Sequence, residues 1–137
     1  MSFFMKNKNF CIIPARAGSK RIPKKNIKKF CGSPIIEFPI KNALKTKIFE
    51  KIIVSTDSDE ISEIAKKAGA TIPFKRSKDL SDDYTSSTEV IKDTIKKLPT
   101  LIDENDNICC IYATAAFASK VLIERTYNKF SEINNPH

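Results

Sequence analysis

The sequence has very little histidine, since His137, the last residue, is the only one among 137. This scarcity excludes acid–base or triad chemistry that depends on a histidine inside the fold. Cysteine occurs four times, at Cys11, Cys31, Cys109 and Cys110, but never with a C-x-x-C spacing. Because no such pair indicates a zinc or dithiol site, we interpret the cysteines as small core side chains in a reducing compartment.

Long apolar runs are also absent. No run approaches the roughly 18 residues that a membrane span requires, and lysines interrupt the apolar patch near the start, which is too short for a signal peptide. The sequence therefore predicts a cytoplasmic protein without membrane association. We expect residues 1–9 to be a flexible leader and residues 10–137 to form one domain that is long enough to bury a core.

Acidic residues are missing from the first 36 positions, which hold nine of the 24 Lys and Arg residues and none of the 16 Asp and Glu residues. The net charge of +8 is therefore concentrated in one part of the chain. A nucleic-acid-binding protein usually spreads its basic residues over a face or along a helix. Charge gathered around one loop instead favours a compact polyanion such as a nucleoside triphosphate, with a module that binds RNA or another polyanion as the alternative.

The basic residues follow a short apolar run at residues 10–14, which predicts a buried strand. The loop at residues 15–26 places Arg16 and Lys20 beside the small residues Gly18 and Ser19. A strand that opens into such a loop presents backbone N–H groups and positive charge to phosphates. The spacing matches neither G-x-x-x-x-G-K-[ST] nor G-x-G-x-x-G, so the common phosphate-loop patterns are excluded.

Strand and helix patterns alternate along the rest of the chain. Further strands are predicted at residues 51–55, 71–74 and 108–112, and helices over residues 34–44, 61–68, 85–98 and 119–130. This alternation predicts an α/β fold of three layers, with helices on both faces of a mostly parallel sheet. Since ligands of such sheets bind beyond the carboxyl ends of the strands, we expect the loops at residues 15–26, 56–57, 75–85 and 113–117 to meet in one crevice.

Local signals predict where the helices begin and end. Ser33 is a candidate N-cap with Pro34 at the first helical position, and Asp57 or Asp59 is a candidate cap for the next helix. Gly69 is placed to end that helix. Pro39 predicts a kink or an irregular first turn.

Several polar residues near the strand ends allow two interpretations. Asn26 either closes a turn or contacts a base or ribose, and Arg76 either holds ligand charge or faces solvent. Residues 86–88 form an N-cap cluster whose helix terminus can also bind a hydroxyl or phosphate. Asp57 is a candidate Mg²⁺ ligand by position, but helix capping explains it equally well, and no carboxylate pair has a spacing that implies a metal site.

The basic loop and four later segments together resemble the acylneuraminate cytidylyltransferases, the CMP-nonulosonate synthetases. The segments are IIPARAGSKRIPKKN at residues 12–26, GSPII at 32–36, VSTD at 54–57, Arg76 through LSDD at 80–83, and YATA at 112–115. The resemblance covers residues 10–130, and IPFKR at 72–76 together with YATA brings it nearest to the pseudaminate-activating members. It implies a Rossmann-like nucleotidyltransferase fold.

The resemblance also implies a reaction. CTP and a nonulosonic acid, here pseudaminic acid, would give the CMP-sugar and pyrophosphate with Mg²⁺ as cofactor, for glycosylation of surface glycans or flagellin. The sugar hydroxyl would attack the α-phosphate without a covalent enzyme intermediate, so that positioning and charge neutralisation supply the catalysis. The alternatives are a CMP-N-acetylneuraminate synthetase, a 3-deoxy-manno-octulosonate enzyme, or an inactive fragment.

By position, the resemblance assigns the catalytic role to Arg16 and Lys20, which with Ser19 would hold the CTP phosphates. Asn26, Arg76 and Ser87 would contact the cytidine part or its phosphate, and Thr114 would line the site near the nucleotide or sugar. The full expected nucleotide-binding set is Ala15, Arg16, Gly18, Ser19, Lys20, Asn26, Arg76, Ser87 and Thr114.

Three features depart from the family pattern. Ala17 stands where a second glycine is usual, and Ala116 replaces a proline after the YATA segment. Family chains also continue well beyond position 137, and the resemblance places their metal-binding aspartates, much of the sugar pocket and the arm of the homodimer there. We therefore expect this chain to be an N-terminal, nucleotide-binding portion, and no residue in it is assigned as a metal ligand.

Overall fold

The computed structural model describes residues 7–134, which contain a parallel sheet, a short hairpin and four α-helices. The strands are β1 (Asn9–Pro14), β2 (Lys29–Phe30), β3 (Ser33–Pro34), β4 (Lys51–Ser55) and β5 (Asn107–Cys110). The helices are α1 (Glu37–Thr46), α2 (Asp59–Ala68), α3 (Ser87–Lys97) and α4 (Lys120–Asn134). Residues 1–6 of the predicted leader, and the only histidine, lie outside the described residues. Within the described part, no helix combines the length and apolarity needed to cross a membrane.

β1 is the central strand of the sheet, whose three parallel strands lie in the order β4-β1-β5. Cys11 lies opposite Ile52 on one side and opposite Cys109 on the other. Every residue from Phe10 to Ile13 is fully buried, as is typical of a parallel strand covered on both faces. Successive side chains of β1 point to opposite faces of the sheet, so this one strand contributes to two cores.

The two cores lie on opposite faces of the sheet. Cys11 and Ile13 belong to the larger core, which residues of α1, α2 and α4 complete. Phe10 and Ile12 belong to the smaller core, against which the apolar face of α3 packs through Ile91 and Ile95. The predicted three-layer α/β fold, with helices on both faces of a parallel sheet, is therefore confirmed.

The third predicted strand, at residues 71–74, is reduced to one bridging residue. Thr71 donates its N–H to the Ile52 carbonyl at 2.8 Å, and its carbonyl accepts from the Val54 N–H at 3.0 Å. Pro73 has no N–H with which to continue the ladder. Thr71 therefore pairs with the outer edge of β4 at Ile53 only.

The predicted N-cap at Ser33 is wrong, because Ser33 and Pro34 form β3, which pairs antiparallel with β2. The two residues between these strands, Cys31 and Gly32, have φ angles of 49° and 85°. Left-handed conformations at both positions are those of a tight two-residue hairpin turn. Helix α1 therefore begins only at Glu37, and Pro39 falls in its first turn, where a missing N–H removes no helical hydrogen bond.

Helix α2 is capped by Ser58, whose side chain accepts a hydrogen bond from the Ile61 N–H, and not by Asp57 or Asp59. Its predicted end is confirmed, since Gly69 follows the helix with a φ of 108°. This left-handed backbone conformation favours glycine, and a Cβ atom there would lie 2.6 Å from Cδ1 of Leu44, whose side chain would have to move.

Of the four cysteines interpreted as core side chains, only Cys11 is fully buried. Cys11 is completely buried, and burial raises the pKa of its thiol well above the ordinary value. Cys109 is half-buried, whereas Cys31 in the hairpin turn and Cys110 on the outermost strand are exposed. β5, which carries Cys109 and Cys110, is an edge strand of the sheet, a position that sequence periodicity does not reveal.

Candidate functional site

The candidate site lies at the carboxyl ends of β1 and β4, where the chain leaves the sheet. Ala15, directly after β1, is fully buried and donates its N–H to the Ser55 carbonyl at the end of β4, at 2.9 Å. This hydrogen bond brings the basic loop at residues 15–26 beside residues 56–57. The carboxyl edge of the sheet is where α/β proteins bind their ligands.

Two polar side chains fix the start of the basic loop. The backbone N–H of Ala17 donates to Oδ1 of Asp57 at 2.8 Å, and Nδ2 of Asn26 donates to the Arg16 carbonyl at 2.9 Å. Asn26 is buried within a short 3-10 helix at residues 25–27, so its amide closes the loop. Asp57 is engaged with the loop and is neither a helix cap nor part of an acidic cluster. Gly18 is exposed and Ser19 half-buried on the segment that these contacts support.

Arg16 and Lys20 converge on one carboxylate, that of Asp83. Nη1 of Arg16 lies 2.7 Å from Oδ1 of Asp83, and Nζ of Lys20 lies 2.7 Å from Oδ2. The hydrogen bonds from Lys20 and Arg16 hold the pKa of Asp83 below its ordinary value. The basic loop has no acid in its own sequence, but the fold supplies one from the loop at residues 75–85. Sequence reasoning missed this partner, although the LSDD segment contains it.

The neighbouring aspartate has a different role. Oδ1 of Asp82 accepts hydrogen bonds from the Tyr84 N–H, the Thr85 N–H and the Thr85 hydroxyl, which together lower the pKa of Asp82. Asp82 therefore shapes the turn that leads into α3. That turn leaves the Asp83 carboxylate directed at the basic loop.

Arg76 is buried, which overturns the interpretation that it faces solvent. Only 4% of the residue is exposed, and its guanidinium donates to the carbonyls of Ser55 at 3.2 Å and Leu80 at 3.1 Å. Burial lowers the pKa of this guanidinium, while the nearby Asp57 acts in the opposite direction. Its Nε is buried without a hydrogen-bond partner among the described residues. Arg76 thus ties the end of β4 to the loop at residues 75–85.

The remaining predicted residues lie at the start of α3 and after β5. Ser87 is the first residue of α3, and its hydroxyl lies 3.5 Å from the Tyr112 hydroxyl. Thr114 is exposed in the loop after β5, and its carbonyl accepts a hydrogen bond from the Ala116 N–H at 2.9 Å. The turn beside Thr114 therefore forms with alanine at position 116. Tyr112, which is 60% exposed, is a further site candidate that sequence reasoning did not single out.

The described residues do not present a ready-made Mg²⁺ site. No group of three or more His, Cys, Asp or Glu side chains in the described part of the chain is arranged to hold a metal ion. The two carboxylates that contact the basic loop are already engaged, since Asp57 accepts from the Ala17 N–H and Asp83 pairs with Arg16 and Lys20. The site as described therefore offers the cations Arg16 and Lys20, which suit an anionic ligand.

The known proteins with similar sequences are cytidylyltransferases or CMP-sugar synthases. A family model described as "Cytidylyltransferase" matches residues 10–136. The chain is 50% identical over 123 residues to a pseudaminic acid cytidylyltransferase of Campylobacter jejuni, which covers 90% of this chain and 53% of that relative. It is 38% identical over 106 residues to a CMP-N,N'-diacetyllegionaminic acid synthase of Legionella pneumophila, covering 77% and 46% respectively.

Solved structures agree on the fold. The structure of a CMP:2-keto-3-deoxy-manno-octonic acid synthetase complexed with CTP has a TM-score of 0.75 and 22% identity, and the match covers 95% of this chain and 49% of the other. A cytidylyltransferase from Leptospira borgpetersenii has a TM-score of 0.70 and 24% identity. The chain spans about half the length of these curated relatives and solved structures.

Proposed function

The chain belongs to the cytidylyltransferase family, and we propose that it is the nucleotide-binding portion of an enzyme that activates a nonulosonic acid with CTP. The products would be the CMP-sugar and pyrophosphate. One observation carries this proposal: Arg16 and Lys20, from a loop at the carboxyl end of β1, already converge on both oxygens of a single anionic group. A phosphate group offers the same kind of oxygen acceptors to the same two cations.

In the proposed reaction the chain's own residues bind and orient the triphosphate. Arg16 can hold two phosphate oxygens with its guanidinium, and Lys20 adds a point charge that neutralises the charge of the departing pyrophosphate. Asn26 and Asp57 keep the start of the loop in place, because Asn26 donates to the Arg16 carbonyl and Asp57 accepts from the Ala17 N–H. Positioning and charge neutralisation are the main sources of catalysis in phosphoryl and nucleotidyl transfer.

Mg²⁺ is the expected cofactor of the family reaction, in which it would neutralise phosphate charge. Because the described residues hold no set of three ligands for it, we assign no step of the reaction to the metal. The test of nucleotide binding therefore includes titrations with and without Mg²⁺.

Pseudaminic acid is the proposed sugar substrate. A relative that is 50% identical is named as a pseudaminic acid cytidylyltransferase, and the legionaminic acid synthase is less similar at 38%. The competing candidates are N-acetylneuraminic acid, legionaminic acid and 3-deoxy-manno-octulosonic acid. Pyrophosphate release with this panel of sugars, measured in a preparation that turns over, separates them. We also propose that the reaction takes place in the cytoplasm, a reducing compartment in which the described cysteines remain free thiols. We expect the complete enzyme to be a homodimer.

Calorimetry of CTP binding to the 137-residue chain tests the nucleotide site. We expect Arg16→Ala to weaken binding by at least about tenfold, because a charge-assisted contact to phosphate is lost. Arg125→Ala is the matched control, since it removes the same charge from the exposed surface of α4. Equal weakening by both substitutions, with single-stranded RNA competing and a steep salt dependence, would favour the polyanion-binding alternative. A folded chain that binds no CTP would contradict the proposal.

A further inference from the structure

The basic segment at residues 16–29 contains more positive charge than the proposed phosphate contacts use. Its Lys and Arg residues are not balanced by any Asp or Glu within the segment. Arg21, Lys25, Lys28 and Lys29 are exposed, and none of them forms an ion pair within residues 7–134. The other cations of the segment each contact a carboxylate. Positive charge that no carboxylate neutralises is therefore present on this surface.

The unpaired cations lie close to the candidate site. Asn26 is hydrogen-bonded to the start of the basic loop at 2.9 Å. Successive Cα atoms are about 3.8 Å apart, so the Cα atoms of Lys28 and Lys29 lie within about 8 Å and about 11 Å of that of Asn26. Arg21 directly follows Lys20 in the sequence. These separations are on the order of the Debye length, which is about 10 Å at an ionic strength of about 0.1 M, so these charges act on a ligand that approaches the site.

The ligands of the proposed reaction are anions, since CTP carries a triphosphate and a nonulosonic acid carries a carboxylate. An excess of opposite charge around a site raises the rate of encounter with such ligands, by about 10- to 1,000-fold in strongly steered systems. Steering depends on the sign and the position of charge and does not require contact. Exposed cations without carboxylate partners are suited to it, because no neighbouring acid cancels their field.

We propose that Arg21, Lys28 and Lys29 steer anionic substrates toward the Arg16 and Lys20 cations without contacting the bound nucleotide. Their effect falls on the association rate constant, because a long-range field raises the frequency of productive encounters and contributes little once the complex has formed. The inference rests on the proposed function, because it takes CTP as the ligand of the site.

Two triple variants separate steering from direct contact. The charge-removing variant combines Arg21→Gln, Lys28→Gln and Lys29→Gln. The charge-keeping variant combines Arg21→Lys, Lys28→Arg and Lys29→Arg, which preserves every charge but changes the geometry of every donor. Lys25 stays unchanged in both variants, because it belongs to the 3-10 helix that closes the loop.

A third triple variant is the matched control. It combines Lys66→Gln, Lys67→Gln and Lys96→Gln, which removes three exposed charges from the last turns of α2 and α3. Both helices begin near the carboxyl edge of the sheet, and at about 1.5 Å per residue their last turns lie about 15 Å from their starts. The control therefore lowers the net charge equally at a distance where the field at the site is screened.

Stopped-flow fluorescence with CTP that carries an anthraniloyl group on its ribose measures association, and a chase with unlabelled CTP measures dissociation. At an ionic strength of about 0.1 M we expect the charge-removing variant to associate at least about threefold more slowly than the wild type. Its dissociation rate constant should stay within about twofold of the wild-type value. The charge-keeping and control variants should associate within about twofold of the wild type, and all differences should vanish near about 1 M.

The outcomes distinguish this inference from the proposed function. Equal association rates of the wild type and the charge-removing variant, with CTP still bound, overturn the inference and leave the proposed function intact. Faster dissociation from the charge-removing variant would make these side chains direct contacts, which also overturns it. A folded wild type that binds no CTP contradicts the proposed function itself.

Thermal unfolding verifies that each variant is folded. If the charge-removing variant does not fold, the wild type decides, because an association rate that is the same at about 0.01 M and about 1 M ionic strength excludes steering.

Discussion

Asp83 occupies the position between Arg16 and Lys20 that the proposed function gives to a phosphate group. Its two oxygens each bind a different cation at 2.7 Å, so the cations are held together before any nucleotide arrives. The same contact means that a phosphate must displace the carboxylate to bind both cations. Asp83 therefore orders the site and competes with the ligand at the same time.

We expect Asp83→Asn to raise the affinity for CTP by about three- to tenfold, because a neutral amide competes less well for the half-buried Arg16 and the exposed Lys20. Asp59→Asn is the matched control, since it removes the same charge from a surface ion pair with Lys75 at 3.2 Å. Calorimetry of both variants at one salt concentration measures the effect. A lower affinity in the Asp83 variant would mean that ordering of the loop outweighs competition.

The sequence predicted where individual site residues lie in the fold, but it did not predict which residues they contact. Arg16 and Lys20 lie where the strand-and-loop pattern placed them, because that pattern is local. The burial of Arg76 was not predictable, because one of the two carbonyls that bind it belongs to Ser55, 21 residues away. For the same reason sequence reasoning gave Asp57 a capping or metal role, whereas the fold brings the Ala17 N–H to it.

Local sequence signals predicted the start of α3 but not the start of α1. Ser86 and Glu89 form a complete capping box at the start of α3, in which each side chain binds the other residue's backbone N–H. The serine and threonine cluster at residues 86–88 predicted this start because the box spans only four residues. The start of α1 was not predicted, because the serine and proline before it pair with β2 instead.

We expect Ser86→Ala to lower the free energy of unfolding by about 1 kcal/mol, since the substitution leaves the Glu89 N–H without its cap. Urea denaturation measures the change. Ser131→Ala, within α4, makes the same chemical change where no cap exists and is expected to stay within about 0.5 kcal/mol of the wild type. Equal effects of the two substitutions would show that the capping box contributes little.

At the scale of the whole molecule, acid is expected to destabilise the fold. Asp82 and Asp83 have pKa values held below the ordinary 3.8 by their hydrogen bonds, so they bind protons more weakly when folded than when unfolded. Their contribution is therefore present at neutral pH and is lost as the pH falls through those lowered values. The net charge of +8 adds repulsion as carboxylates are neutralised.

Thermal unfolding followed between about pH 7 and about pH 2 tests this dependence. The midpoint of the wild type should fall most steeply in the acid part of the range. Asp82→Ala should unfold at a lower temperature than the wild type at neutral pH, with the gap narrowing in acid. A gap of constant width would assign the role of Asp82 to packing and not to its charge.

The sheet order described above also has a consequence for how the chain folds during synthesis. β1 is translated before the other strands of its sheet and is the most buried of them, yet its partners are β4 and β5, with Cys11 pairing with Cys109. No local hairpin can satisfy a central parallel strand, so β1 stays uncovered until distant sequence has been translated. An apolar segment exposed for that long is a target for chaperones and for aggregation. β1, the central strand of the folded sheet, is thus the strand that most needs to be shielded from aggregation during synthesis.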